Sequence, residues 1–113
     1  MHEMSLTESV VEILCEEARK QGFSRVKTVW LEIGVLSGVE PPAMEFCFDV
    51  VTHGTLAEGA KLEIVRTPGQ GWCLECEKTV ALAERFGACP ECGGYKVQMT
   101  GGDEMRVKEL EVE

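Results

Sequence analysis

The sequence predicts an α+β protein: a small mixed α/β domain of two helices on about three strands, with an inserted four-cysteine, zinc-ribbon-like module. Three observations predict it. Residues 5 to 22 carry apolar side chains at helical spacing, and residues 26 to 35 carry them at strand spacing. Between two later strand-like segments lies the run Cys73-x2-Cys76-x12-Cys89-x2-Cys92. At 113 residues the chain is one ordinary domain or a small domain with a smaller module, and a metal would help so short a chain hold its core.

Each element follows from local chemistry. Ser5-Leu6-Thr7-Glu8 fits a capping box and predicts the start of the first helix. Leu6, Val10, Ile13, Leu14 and Ala18 form its expected apolar stripe, and Gly22 its expected end. In the first strand Val29, Leu31, Ile33 and Val35 share one face, while Val26, Thr28 and Trp30 cover the other. Burial on both sides is therefore expected. Pro41 or Pro42 opens the second helix, where a missing N–H costs nothing, and His53-Gly54 ends it. Ala43, Phe46, Cys47, Val50 and Val51 give its expected apolar face. Lys61 to Arg66 and Met105 to Val112 read as the remaining strands, the second with a bulge near Lys108-Glu109. The predicted domains are residues 1–67 plus 102–113, and an insertion over 68–101.

The charge excludes some functions. A net charge of −9, with no basic patch, makes nucleic acid and anionic membranes poor partners. Apolar runs are too short for a membrane span, and the start MHEMSLTESVVEIL lacks a basic n-region, so a cytoplasmic protein is expected. In a reducing compartment, paired cysteines read as a metal site before they read as disulfides.

Two Cys-x2-Cys turns complete a tetrahedron of sulfurs, which suits zinc at Zn–S distances of ~2.3 Å. Cys73, Cys76, Cys89 and Cys92 are the expected zinc ligands, in a closed structural site. Iron accepts the same thiolates, but only the second knuckle has the Cys-Pro-x-Cys-Gly form. A rubredoxin-like electron carrier and a zinc-ribbon adaptor protein are the alternative functions. Nucleic-acid binding by the ribbon fails on charge, since Lys78, Arg85 and Lys96 face four glutamates in residues 72–99. Cys15 and Cys47 read as small hydrophobes on helix faces. With no Ser/His/Asp set, phosphate loop or paired-carboxylate motif, no enzyme activity is expected.

The start Met1-His2-Glu3 is the second candidate site. A His beside a free N-terminus closes a chelate ring through its Nδ1 and its own backbone nitrogen. The Met1 amine or the Glu3 amide can supply a further nitrogen, a set that Ni(II) and Cu(II) tolerate better than zinc.

Met1-His2-Glu3-Met4-Ser5-Leu6, Val29-Trp30-Leu31-Glu32-Ile33-Gly34, Ser37-Gly38-Val39-Glu40 and the inserted double knuckle together resemble the HypA/HybF family of nickel metallochaperones for [NiFe]-hydrogenase maturation. The resemblance covers the whole chain. It implies Ni(II) as transferable cargo at the His2 side chain and the main-chain nitrogens of His2 and Glu3. Met1 and the Glu40 carboxylate are further possible donors; family members more often carry Asp at the second position. It also implies Zn(II) as a structural ion at the four cysteines. The implied partners are a nickel-delivering GTPase, HypB, and the hydrogenase large subunit.

Overall fold

The computed structural model describes residues 3–113, so Met1 and His2 lie outside the described residues. Eight elements follow in order: α1 (Glu3–Gln21), β1 (Val26–Gly34), α2 (Pro41–Val51), β2 (Lys61–Thr67), β3 (Gln70–Cys73), β4 (Lys78–Ala81), β5 (Val97–Gly101) and β6 (Met105–Val112). They make two sheets of three strands, ordered β2-β1-β6 and β4-β3-β5. The predicted α+β class with two helices is what the structure has. The second sheet was not anticipated.

The chain divides into two compact units. One comprises Met1–Leu31, Val39–Ile64 and Val107–Glu113; the other comprises Glu32–Gly38 and Val65–Arg106.

In the first unit α1 packs on α2. The expected capping box does not form. The helix is already under way at Glu3, so Ser5 lies inside it and cannot act as its N-cap. Glu3, Met4 and Leu6 are good helix formers, and the Thr7 hydroxyl donates back to the Glu3 carbonyl at 2.8 Å, which lets a polar residue be buried mid-helix. The buried stripe is accordingly Glu3, Thr7, Val10 and Leu14, whereas Ile13, expected inside, is 46% exposed. Gly22 ends the helix as expected, at φ 81° with its N–H on the Ala18 carbonyl at 2.8 Å.

β1 is buried on both faces, as its composition predicts: Val29, Leu31 and Ile33 on one side, Val26 and Thr28 on the other. The Thr28 hydroxyl is satisfied by donating to Glu111 at 2.7 Å. Arg25 and Glu113 exchange backbone hydrogen bonds of 3.3 and 2.9 Å, joining the start of β1 to the end of β6.

α2 starts at Pro41 as expected, with Glu40 in the N-cap position, and ends before His53. Its expected apolar face is wrong by a quarter turn. Met44, Cys47 and Phe48 face the core, while Phe46 and Val50 point outward. Only Glu45 and Asp49 are ionic in this helix, so its sequence scarcely orients it, and the two bulky side chains Met44 and Phe48 take the interior.

In the second unit the residues after β1 are gripped by close backbone contacts. Gly34 N–H donates to the Glu104 carbonyl at 2.8 Å, and Leu36 N–H to the Gly102 carbonyl at 2.7 Å. A Cβ on Gly34 would fall 1.9 Å from the Gly102 carbonyl oxygen, so only glycine fits. Arg85 Nε donates to the Leu36 carbonyl at 2.6 Å. The three short strands hold a small core of Cys73, Val80 and Cys89, with Cys76 and Val97 packed against it. A register shift falls between Gln70 and Gly71. β6 runs unbroken from Met105 to Val112, and its half-buried residues Met105, Val107 and Leu110 keep the broken alternation read from the sequence.

Candidate metal centre

The first knuckle is the turn of the β3–β4 hairpin. Cys73 closes β3 opposite Lys78, which opens β4. Glu77 takes φ 55° to turn the chain, and its N–H donates to the Cys73 carbonyl at 2.8 Å. The second knuckle is Cys89-Pro90-Glu91-Cys92-Gly93. Gly93, at φ 74°, donates to the Cys89 carbonyl at 2.9 Å, and Cys89 N–H reaches the Gly94 carbonyl at 2.7 Å. Each knuckle is thus a tight, locally bonded turn that projects two thiols.

The four sulfurs converge, all within 4.8 Å of one another. Cys73 and Cys92 are 3.7 Å apart, and Cys76 and Cys89 are 3.9 Å apart. Tetrahedral bonds of ~2.3 Å to one ion demand a sulfur separation of about 3.8 Å. Those two separations match this value, and the four sulfurs lie close enough together to hold one metal ion. Backbone N–H groups supply the outer contacts: Cys76 donates to the Cys73 sulfur at 3.3 Å, and Glu91 and Cys92 donate to the Cys89 sulfur at 3.4 and 3.5 Å. Gly94 packs closely on this knuckle: a Cβ there would fall 3.4 Å from the Cys92 sulfur.

The electrostatics follow from these contacts. The Cys92 backbone N–H, aided by that of Glu91, draws Cys89 down to about 7. The nearby Cys73 thiol, and then that of Cys92, push Cys76 up to about 12. Four thiols this close do not all ionise on their own, so full deprotonation needs a bound cation. Lys78 bridges the knuckles through Glu91 at 2.5 Å, and its ammonium lies in the field of Cys76 and Cys89. Among the described residues the set holds four sulfurs and no histidine or carboxylate, which is a closed rather than an open site.

The other candidate residues divide. Met1 and His2 fall outside the described residues. Glu3 and Glu40 do come together: the Glu40 N–H donates to Glu3 Oε2 at 3.2 Å. Glu3 is only 5% exposed, a burial the sequence did not signal, because a Glu at a helix start ordinarily reads as a solvated residue. Cys15 is half-buried and Cys47 buried, in keeping with a packing role. His53 lies past the end of α2, 3.1 Å from Glu58.

Fold and site together define a small metal-binding α+β protein whose metal centre is a closed set of four cysteines. Residues 1–112 match the family of hydrogenase and urease nickel incorporation, the metallochaperone HypA, and the chain belongs to that family. It is 63% identical to the hydrogenase maturation factor HypA of Albidiferax ferrireducens over 113 residues, all of both chains. Identity is 62% to that of Rhizobium leguminosarum bv. viciae, over 99% of each chain. The solution structure of the Ni metallochaperone HypA from Helicobacter pylori superposes with a TM-score of 0.73 at 26% identity, covering 99% of this chain and 97% of that one. Among the described residues no helix is long and apolar enough to cross a membrane.

Proposed function

We propose that this protein binds Ni(II) at its N-terminus and delivers it during maturation of [NiFe]-hydrogenase, while Zn(II) at Cys73, Cys76, Cys89 and Cys92 serves structure alone. The observation that carries the zinc half is the sulfur geometry, with separations of 3.7 and 3.9 Å and N–H donors to the thiols. Bound there, zinc supplies the charge that keeps four thiolates together, and the protein's own turns and amides supply the shape. Cys73 and Cys89 are buried, Cys76 half-buried and Cys92 exposed, and four thiolates on one ion hold it through many cargo cycles.

The nickel half rests on the family and on chemistry. The His2 imidazole, the main-chain nitrogens of His2 and Glu3, and the Met1 amine form a chelating set that Ni(II) accepts. Glu40 is a further donor candidate, and the Glu3–Glu40 contact keeps this residue beside the start of α1. A terminus can be unzipped ligand by ligand, so cargo held there is releasable. We assign nickel binding to a domain of residues 1–67 plus 102–113, and zinc to residues 68–101. The partners in this reading are a HypB-like GTPase and the hydrogenase large subunit, in the cytoplasm. The protein acts as a carrier, not a catalyst.

The test is a titration from about pH 8 to about pH 6, bracketing the free imidazole pKa of ~6.5. Nickel and zinc are followed separately on untagged protein. Protons compete for His2, so nickel is expected to leave first while zinc stays. Zinc leaving first, or nickel binding that ignores pH in this window, would contradict the reading.

A further inference from the structure

The outer face of α2 has no counterpart in the nickel and zinc sites. Pro42, Phe46 and Val50 recur at four-residue spacing and form one row along the helix. Phe46 is 68% exposed and Val50 49%. Glu45 and Asp49 stand beside that row, both exposed, and the helix contains no Lys or Arg. Its opposite arc, Met44, Cys47 and Phe48, is already buried in the protein's own core. A short helix that is apolar on both sides is unusual for a surface element, because one apolar stripe suffices to attach it.

We propose that the Pro42–Phe46–Val50 row is a docking surface for a basic amphipathic helix of a partner protein. The row runs about 12 Å at 1.5 Å per residue, two turns of helix, which suits a second helix laid along it with its apolar ridge against Phe46 and Val50. The acids at Glu45 and Asp49 select Lys or Arg on the flank of the incoming helix. A second copy of this chain is the wrong occupant on charge. Two such faces would bring Glu45 and Asp49 against their own equivalents, on chains that each carry −9 overall. Nucleic acid and anionic lipid are repelled for the same reason. The row contains none of the residues assigned to nickel or zinc, so the proposal stands whether or not the N-terminus carries nickel.

The test uses the full-length, zinc-loaded protein and a synthetic amphipathic peptide of about 18 residues, with leucines at helical spacing and lysines elsewhere, long enough to be helical when bound. An otherwise identical peptide with glutamates for lysines is the control. Binding is read by amide NMR shifts and calorimetry at near-physiological salt, about 0.15 M. The lysine peptide is expected to bind saturably, with shifts centred on Glu45, Phe46, Asp49 and Val50, and the glutamate peptide not to bind. Phe46→Ser with Val50→Ser should weaken binding about tenfold, as loss of a central apolar contact does. The more conservative Glu45→Gln with Asp49→Asn should weaken it several-fold and flatten its salt dependence, with unchanged circular dichroism. Three results would overturn the proposal. One is binding unaffected by either pair of substitutions, which would mean general attraction to an acidic chain. Another is shifts centred elsewhere. The third is concentration-dependent dimerisation that Phe46→Ser abolishes, which would show that a second copy covers the face.

Discussion

The buried Glu3 carboxylate accepts the backbone N–H of Glu40 at 3.2 Å, so the first described residue of the chain caps the second helix. Glu40 sits at the N-cap of α2 with no side-chain cap of its own. Glu3 fills that role from another element, and it brings a negative charge to the positive end of the α2 dipole.

Glu3→Ala should therefore destabilise the first unit by ~1–2 kcal/mol, the usual cost of removing a helix cap. Glu3→Gln keeps an acceptor oxygen and loses only the charge, so its cost should be smaller, ~0.3–1 kcal/mol. Urea unfolding of the three proteins checks this order. Glu3→Ala matching the wild type would mean that the contact contributes nothing.

The orientation of α2 makes a sharp pair of predictions. Phe48 is fully buried and Phe46 mostly exposed, two residues apart on one short helix. Phe48→Ala should cost ~3–5 kcal/mol as a core truncation. Phe46→Ala should stay within ~0.5 kcal/mol. Equal losses in thermal or urea unfolding would put the helix in the orientation its sequence first suggests.

Cys73→Ser should abolish metal binding at the four-cysteine centre and unfold the knuckles, because Cys73 is both a ligand candidate and part of the small core of the second unit. The first unit has its own core around Leu14, Leu31, Met44 and Phe48 and should keep its helical signal. Metal content and circular dichroism of the purified variant provide the check. Full metal occupancy in Cys73→Ser would remove this residue from the site.

Glu104 gives the acid limb. Its own backbone N–H, and then that of Gly102 at 2.8 Å, hold its carboxyl below the usual glutamate range. A depressed folded-state pKa stabilises above the unfolded value, ~4.3, and the benefit disappears as pH falls through the folded value. Glu104→Gln should be less stable than the wild type at neutral pH, and the gap should close as pH drops below ~4. A gap independent of pH would assign the effect to shape rather than charge.

Legibility followed how far local chemistry constrained each segment. β1 could be read on both faces because Val, Leu, Ile and Trp alternate without a break. Pro41 marked the start of α2 through its missing N–H, and the cysteine spacing announced the metal centre because few other roles need two such pairs. The second sheet was not legible: β3, β4 and β5 have four or five residues each, and their pairing depends on the knuckles that join them. The burial of Thr7 and Glu3 was not legible either: one is bonded to a carbonyl in its own helix and the other caps a neighbour. Those partners are tertiary or local hydrogen bonds that hydrophobic periodicity does not register.

The most direct measurement of the central claim is metal analysis of the untagged wild-type and His2→Ala proteins after dialysis against Ni(II). The account predicts one nickel and one zinc per chain in the wild type. It predicts zinc alone in His2→Ala, with the same circular dichroism, because the substitution leaves every residue of the described core unchanged. A His2→Ala protein that retains nickel as tightly as the wild type would place the cargo site elsewhere and contradict the account.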